Sequence, residues 1–430
     1  MTLTAAQQGM LLYLTTTSGS NAPGFYYWDN PTATWIGLGK DVKAWQLNGN
    51  TVNATTDFMG STNNADVVFK RNSLRAGHIG ISNTSFGLNA LNPASTGIFN
   101  TASGFSSLLS NTTGNFNTAS GYASLSSNTT GYDNSATGVS SLSSNTTGVQ
   151  NTASGSSSLR FNTTGNFNTA SGTSSLRSNT TGSQNTAFGV SSLYSNTTGL
   201  NNTATGAVSL YSNTMGNDNT ATGFSSLSSN TTGVQNTASG AASLRYNTTG
   251  YINTASGYAS LFSNTTGNSN TATGFSSLES NTTGYYNTAS GVNSLLSNTT
   301  GNFNTASGYA SLLNNTTGSN NTALGSASFL NGTAFENSTA LGASTNITAS
   351  NQVRLGNASV VSIGGQVGWT TVSDARFKKE STKKVPGIDF IKKLRPVTYY
   401  VDHEAMNAFI DAHHKGSGLR IKDGKTTSMG

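Results

Sequence analysis

Residues able to do chemistry are sparse in this 430-residue chain. The densest stretch is SDARFKK (373–379), where a hydroxyl stands beside a carboxylate and three basic side chains. A Ser hydroxyl is a weak nucleophile and needs a base. A Lys serves as that base only if burial or neighbouring positive charge lowers its pKa, and Arg376 and Lys379 are the neighbours at hand. On spacing alone, S-D-x-R-x-K also reads as a surface loop. His413 and His414 are adjacent, so on a helix they point in different directions, and neither has an Asp or Glu four residues away. They read as solvated side chains, and no metal site is expected. The acids of the long middle, Asp133, Asp218, Glu279 and Glu336, lie too far apart in sequence for the paired carboxylates of glycoside hydrolysis. Cysteine is absent, which excludes disulfide frameworks and thiolate metal sites. No cofactor is expected.

The elements that would position such residues are unusual. Charged residues are 8% of the chain, against about 25% in an ordinary soluble domain. Ser, Thr and Asn dominate the middle, a composition that alone would suit a disordered spacer. The basic excess is local. Residues 371–430 hold twelve Lys/Arg against seven Asp/Glu, whereas residues 80–342 hold three against four. The middle therefore offers no basic stripe, and nucleic acid is not an expected partner. No apolar run approaches the ~18 residues of a membrane span, so no membrane insertion is expected. The apolar stretch Met10 to Leu14 has no basic residues before it and is too short for a secretory signal. The expectation is a chain not exported by that route, or one whose leader lies upstream.

Strict periodicity argues against disorder. Glycine recurs every 17 residues from Gly80 to Gly318, and this glycine is position 1 of each copy. Position 8 is Gly from Gly87 to Gly342, position 4 is Asn from Asn83 to Asn321, and position 6 is Ala from Ala102 to Ala340. Position 12 is Leu from Leu91 to Leu312 and then Phe329, and position 11 is Ser from Ser107 to Ser328. One Leu per copy cannot make a helical stripe. Period-two logic fits better, with residues 117, 119 and 121 sharing one face and residues 123 and 125 another. Each copy then reads as two very short strands, with positive-φ bends at the glycines of positions 1 and 8 and turn chemistry in Ser-Asn-Thr-Thr-Gly.

A repeat this short must stack on its neighbours to bury a face. Parallel stacking sets like residues about 4.8 Å apart. It places Ala119 over Ala136 and Leu125 over Leu142, and it turns Asn117 into a rung of an axial amide ladder. The Asn-x-Thr triplets resemble glycosylation sequons, but they occupy ladder and turn positions that the fold itself explains. One Ala and one Leu per turn make a thin core, which predicts a homotrimer pooling inner faces. Position 3 carries Phe99, Phe116, Phe167, Ile252, Tyr286 and Phe303 among polar residues such as Asp133, Gln150 and Asn201. Position 9 carries Phe105, Tyr122, Phe224, Tyr258, Phe275 and Tyr309. These aromatics suit packing between chains in preference to stacking on sugars.

At the start, GFYYWDNPTATWIGLG (24–39) reads as a hairpin with Trp28 and Trp35 flanking a turn at Asp29-Asn30-Pro31. AWQLNGNT (44–51) begins another turn or strand. This region either attaches the shaft to something larger or caps its first edge. Beyond residue 334 the spacing from Gly342 to Gly356 falls to 14, a tightening neck, and NASVVSIGGQVGW (357–369) reads as short strands. EAMNAFIDAHHK (404–415) reads as one short helix.

The phrase NTA-[ST]-G-x-x-SL-x-SNTTG resembles repeats of trimeric bacterial and phage fibres, similar to the head of YadA-like trimeric autotransporter adhesins, across about 80–356. WTTVSDARFK (369–378) and VPGIDFIKKLRPVTYYV (385–401) resemble the intramolecular chaperone domain of the peptidase S74 family. That resemblance implies a segment that trimerises the chains, helps the shaft fold and cuts itself off before Asp374, with Ser373 as nucleophile and Lys378 as base. At most this is autoproteolysis, and no turnover enzyme is expected. The family's domain runs on for longer than the 57 residues that follow Ser373 here.

The expected fold is all-β. It comprises a small β-rich attachment or capping region (1–79), a β-roll or β-helix shaft of 17-residue turns (80–350), a neck (351–370) and a short α+β chaperone-like segment (371–430). The expected function is a trimeric phage tail fibre or tail-like appendage that attaches to a cell-surface glycan or protein receptor. Residues 1–79 would join it to a tail, baseplate or surface anchor, and its place would be the virion tail or the cell surface. The alternative is a bacterial trimeric surface adhesin.

Overall fold

The computed structural model describes residues 11–16, 24–29, 34–37, 61, 63–329 and 331–366, together with 404, 405 and 408. The chain divides into two compact units, 1–362 and 363–430. The fold is all-β, and among the described residues only Glu404, Ala405 and Ala408 are helical, inside the stretch expected to form a helix.

Strands β1 (Leu11–Leu14), β2 (Gly24–Asp29) and β3 (Thr34–Gly37) form an antiparallel sheet. The expected hairpin is present, with Trp28 opposite Trp35 and their ring centroids 5.5 Å apart in an edge-on pair. Asn30, Pro31 and residues 44–51 lie outside the described residues.

The second assembly is the roll. Strands β4 (Val67–Arg71) and β5 (Leu74–Ile79) form a hairpin, and β5 runs antiparallel to β6 (Thr84–Phe86). From β6 onward every pairing is parallel. Strands β7 (Thr101–Ser103), β8 (Thr118–Ser120) and β9 (Ser135–Thr137) begin a series repeating every 17 residues to β21 (Thr339–Leu341), and β22 (Val353–Leu355) follows after 14. The last turn is therefore three residues shorter, as the Gly342 to Gly356 spacing implied, with Thr339 opposite Val353. The β4–β5 hairpin covers the open edge of β6, which would otherwise offer unpaired N–H and C=O groups to another chain.

Each turn contains one strand, at positions 5 to 7, and not the two expected. Residues 122–127 form turns instead. The physical reason is the backbone: Ala123 and Leu125 both have positive φ, 51° and 48°. That curl breaks period-two alternation, so the consecutive residues Ser124 and Leu125 both point inward. It also sends the N–H groups in opposite directions along the axis. Ala123 N–H donates to Phe105 O in the preceding turn at 2.9 Å, and Leu125 N–H to Ser141 O in the following turn at 3.0 Å. Left-handed φ costs an L-residue roughly 1–2 kcal/mol. It persists here because bonds to both neighbouring turns fix it.

The two glycine columns have different causes. Position 8 has positive φ as expected (Gly121, 130°), and a Cβ there would stand 2.5 Å from Gly138 O. Position 1 has no positive φ. Gly131 is required because a Cβ would stand 2.4 Å from Gly148 O and 2.5 Å from Asn128 Oδ1. The bends expected at positive φ instead use positions 3, 10 and 12, as at Phe116, Ala123 and Leu125.

Inside, the Ala and Leu columns form one continuous apolar cluster from Ala90 to Ile347. Three polar columns are buried with them: Asn at position 4, Ser at position 11 and Asn at position 15. Residues 357–366 form no strand, contrary to the expectation for that stretch. The side chain of Asn357 donates to Ala343 O and accepts from the backbone of Ser359, which turns the chain away after β22. Val360, Val361 and Ile363 are left exposed.

Candidate functional site

Ser373, Asp374 and Lys378, with Arg376, Lys379, His413 and His414, lie outside the described residues. Among the described residues no group of three or more His, Cys, Asp or Glu could hold a metal ion, and no helix is long and apolar enough to cross a membrane. The acids of the shaft remain dispersed, and Asp218 accepts a hydrogen bond from Asn201 Nδ2 at 3.0 Å.

The polar interior is structural. Asn117 Oδ1 accepts the backbone N–H and the Nδ2 of Asn134, both at 3.1 Å. Its own Nδ2 donates to Asn100 Oδ1 at 3.2 Å and to Gly131 O at 2.8 Å. This is the expected ladder, with every donor and acceptor of the amide used. A second ladder, at position 15, was read from sequence only as turn chemistry. Asn128 Nδ2 donates to Asn111 Oδ1 and to Gly131 O, each at 2.9 Å, and Asn128 Oδ1 accepts from Asn145 Nδ2 at 2.8 Å. These position-15 residues are the Asn of the Asn-Thr-Thr triplets. They are fully buried, so their amide nitrogens have no room for a sugar in the folded roll. The ladder ends at Asn315, whose Oδ1 has no partner because Gly332 stands where the next Asn would be.

The first turn has its own cap. Arg75 donates to Leu91 O at 2.8 Å and Ala90 O at 3.3 Å, satisfying backbone carbonyls at the start of the roll. Burial pushes its guanidinium below the usual value, with Asp66 opposing. Asp66 in turn pairs with His78 Nε2 at 2.6 Å.

On the outside of the roll, axial stacking organises the variable positions into columns. At position 3, Phe99 stacks on Phe116 (5.3 Å) and Tyr286 on Phe303 (5.2 Å). At position 9, Phe105 stacks on Tyr122 (5.5 Å) and Tyr258 on Phe275 (5.3 Å). These rings are about half exposed. They flank the outward Thr and Ser of each strand, as at Thr118 and Ser120.

A third column escaped sequence reasoning. Arg160, Arg177 and Arg245 are all the basic residues of 80–342, and each occupies position 13. The Arg177 guanidinium lies between the rings of Phe161 (5.3 Å) and Tyr194 (5.4 Å) and donates to the Tyr194 hydroxyl. Tyr194 stacks on Tyr211 at 5.0 Å, and Arg245 lies over Tyr246 (5.4 Å) and Phe262 (5.8 Å). The signal was available: three Arg sharing one residue of a 17-residue frame.

No protein-family profile matches this sequence, and no curated protein matches it. What the molecule itself defines is a repetitive β-solenoid with 17-residue turns, a shaft with no enclosed site among its described residues.

Proposed function

We propose that the chain is the shaft subunit of a trimeric fibre, a phage tail fibre or tail-like appendage that holds a rigid rod out to a cell surface. The observation that carries this reading is the unbroken parallel register from β6 to β22, which makes a long element whose variation is concentrated on its surface. Seventeen layers at about 4.8 Å give an axial length of roughly 75–80 Å. The exposed aromatic columns at positions 3 and 9 are the faces through which three copies associate. Each large side chain so buried contributes about 1.5–3 kcal/mol. The C-terminal segment seeds the trimer, in keeping with its resemblance to self-cleaving chaperones, and Ser373 with Lys378 as base cuts before Asp374.

Light scattering on the purified chain, paired with electron micrographs, tests the proposal. Trimeric rods are expected, and a monomer under native conditions overturns it. A bacterial surface adhesin is the alternative use of the same shaft, and a membrane-anchoring segment in the full gene would favour it.

A further inference from the structure

We infer that the position-13 edge between Arg160 and Phe262 is a binding strip for an acidic polysaccharide, with one sugar ring seated in a notch over Ser228. The inference rests on the shaft reading and names the ligand class it presents.

Along the axis the column runs Arg160, Arg177, Tyr194, Tyr211, Ser228, Arg245 and Phe262, and Glu279 at the next rung closes the basic stretch. The stack is continuous from Phe161 through Arg177 and Tyr194 to Tyr211, and it resumes at Arg245. Ser228 interrupts it with a side chain that carries no ring, its hydroxyl donating to Arg245 O at 3.4 Å. The result is a depression of ≈ 270 Å³ lined by Val208, Tyr211, Ser212, Ser225, Ser228 and Ser229. Tyr211 and Arg245 are two layers apart, about 9.6 Å, so one flat ring fits between them at stacking distance from Tyr211. The walls of the notch match a pyranose: an aromatic face for its C–H side and the half-buried Ser212, Ser228 and Ser229 for its hydroxyls. Arg245 stands one layer beyond for a carboxylate.

Charge selects the acidic class. Among the described residues the one ion pair is His78 with Asp66, so none of the three arginines has a carboxylate partner. Their guanidiniums are instead held flat against rings, which orients them while leaving edge N–H groups to donate to an anion. Arg177 and Arg245 are four layers apart, about 19 Å. That spacing suits a polymer with occasional charges. It suits a nucleic acid poorly, since each strand carries a charge per ~3.4 Å.

The test uses the purified full chain in affinity electrophoresis through polygalacturonate, alginate, neutral dextran or a single-stranded oligonucleotide. Retardation by a polyuronate, at least tenfold weaker with dextran and with the oligonucleotide, is expected. Ser228→Tyr continues the aromatic stack and fills the notch, so it should keep the rod and lose at least tenfold in affinity. Arg245→Gln should lose a similar factor. Wild-type chain that ignores both polyuronates, binds dextran or the oligonucleotide equally well, or binds unchanged as Ser228→Tyr overturns the strip. If such a failure occurs in intact trimeric rods, it leaves the shaft reading standing. Absence of rods overturns the shaft reading itself.

Discussion

Asn117 and Asn128 donate to the same atom: the carbonyl oxygen of Gly131 accepts Asn117 Nδ2 at 2.8 Å and Asn128 Nδ2 at 2.9 Å. The two amide ladders therefore share an acceptor at the first residue of the next turn, with its carbonyl fully used. This relationship explains how a roll with so little apolar side chain buries two Asn and a Ser per turn. An unmatched buried amide group costs about 1–3 kcal/mol, and here almost none is unmatched.

Gly131→Ala should therefore cost far more than an exposed Gly→Ala change. The added Cβ meets Gly148 O and Asn128 Oδ1 within 2.5 Å, and a backbone carbonyl held by two ladders cannot retreat. A loss of about 2–3 kcal/mol per chain is expected. It should be read as a lower melting temperature with new protease cutting near the substitution. An unchanged melting temperature and cutting pattern contradict the close-approach account.

Asn145→Asp should make stability depend on pH. Asn145 Nδ2 donates to Asn128 Oδ1 and to Gly148 O, both acceptors. A buried carboxylate facing two acceptors is disfavoured in its charged form, so its folded pKa rises above the ordinary value of about 3.9. A raised folded pKa means that stability is fullest below the unfolded value and is lost as pH climbs through the folded one. The variant should melt lower at pH 7 than at about pH 4, with a larger pH difference than the parent shows. A variant that melts higher at neutral pH, or with the parent's pH dependence, contradicts the ladder geometry.

Removing 371–430 before synthesis should lower the yield of correctly registered trimer. Identical turns tolerate slips of whole repeats, and slipped arrays expose edges that aggregate. Solubility and SDS-resistant trimer on gels are the readout. Equal yields with and without the segment remove its proposed seeding role.

Ser373→Ala should abolish release of the 57-residue piece that begins at Asp374 without harming assembly. Mass spectrometry of expressed chains checks this, with Lys378→Met expected to behave alike. Release that continues in the Ser373→Ala chain clears that residue of the nucleophile's role.

The period of 17, the parallel stacking, the Ala119 and Leu125 columns and the Asn117 ladder were all legible, because each is a fixed residue type at a fixed offset. The second ladder was not. Asn128 sits in Ser-Asn-Thr-Thr-Gly, where Asn ordinarily signals an exposed turn, and only the curled backbone turns its amide inward. The same curl hid the missing second strand, since nothing in Ala123-Ser124-Leu125 announces left-handed φ at an Ala and a Leu. The Gly131 column was read as a positive-φ bend, whereas glycine is required there because a Cβ would meet Gly148 O. The Arg177 and Tyr194 column went unread because residue types alternate along it, so the shared offset of its three Arg stands out only against the 17-residue frame. Its order appears only when turns are laid on one another.

Cryo-electron microscopy of the purified full chain tests the account most directly. It predicts three rolls in a slender rod, with layers about 4.8 Å apart and two axial rows of side-chain density converging on the glycine backbone inside each roll. Compact particles or flexible strands with no regular axial layering would contradict it.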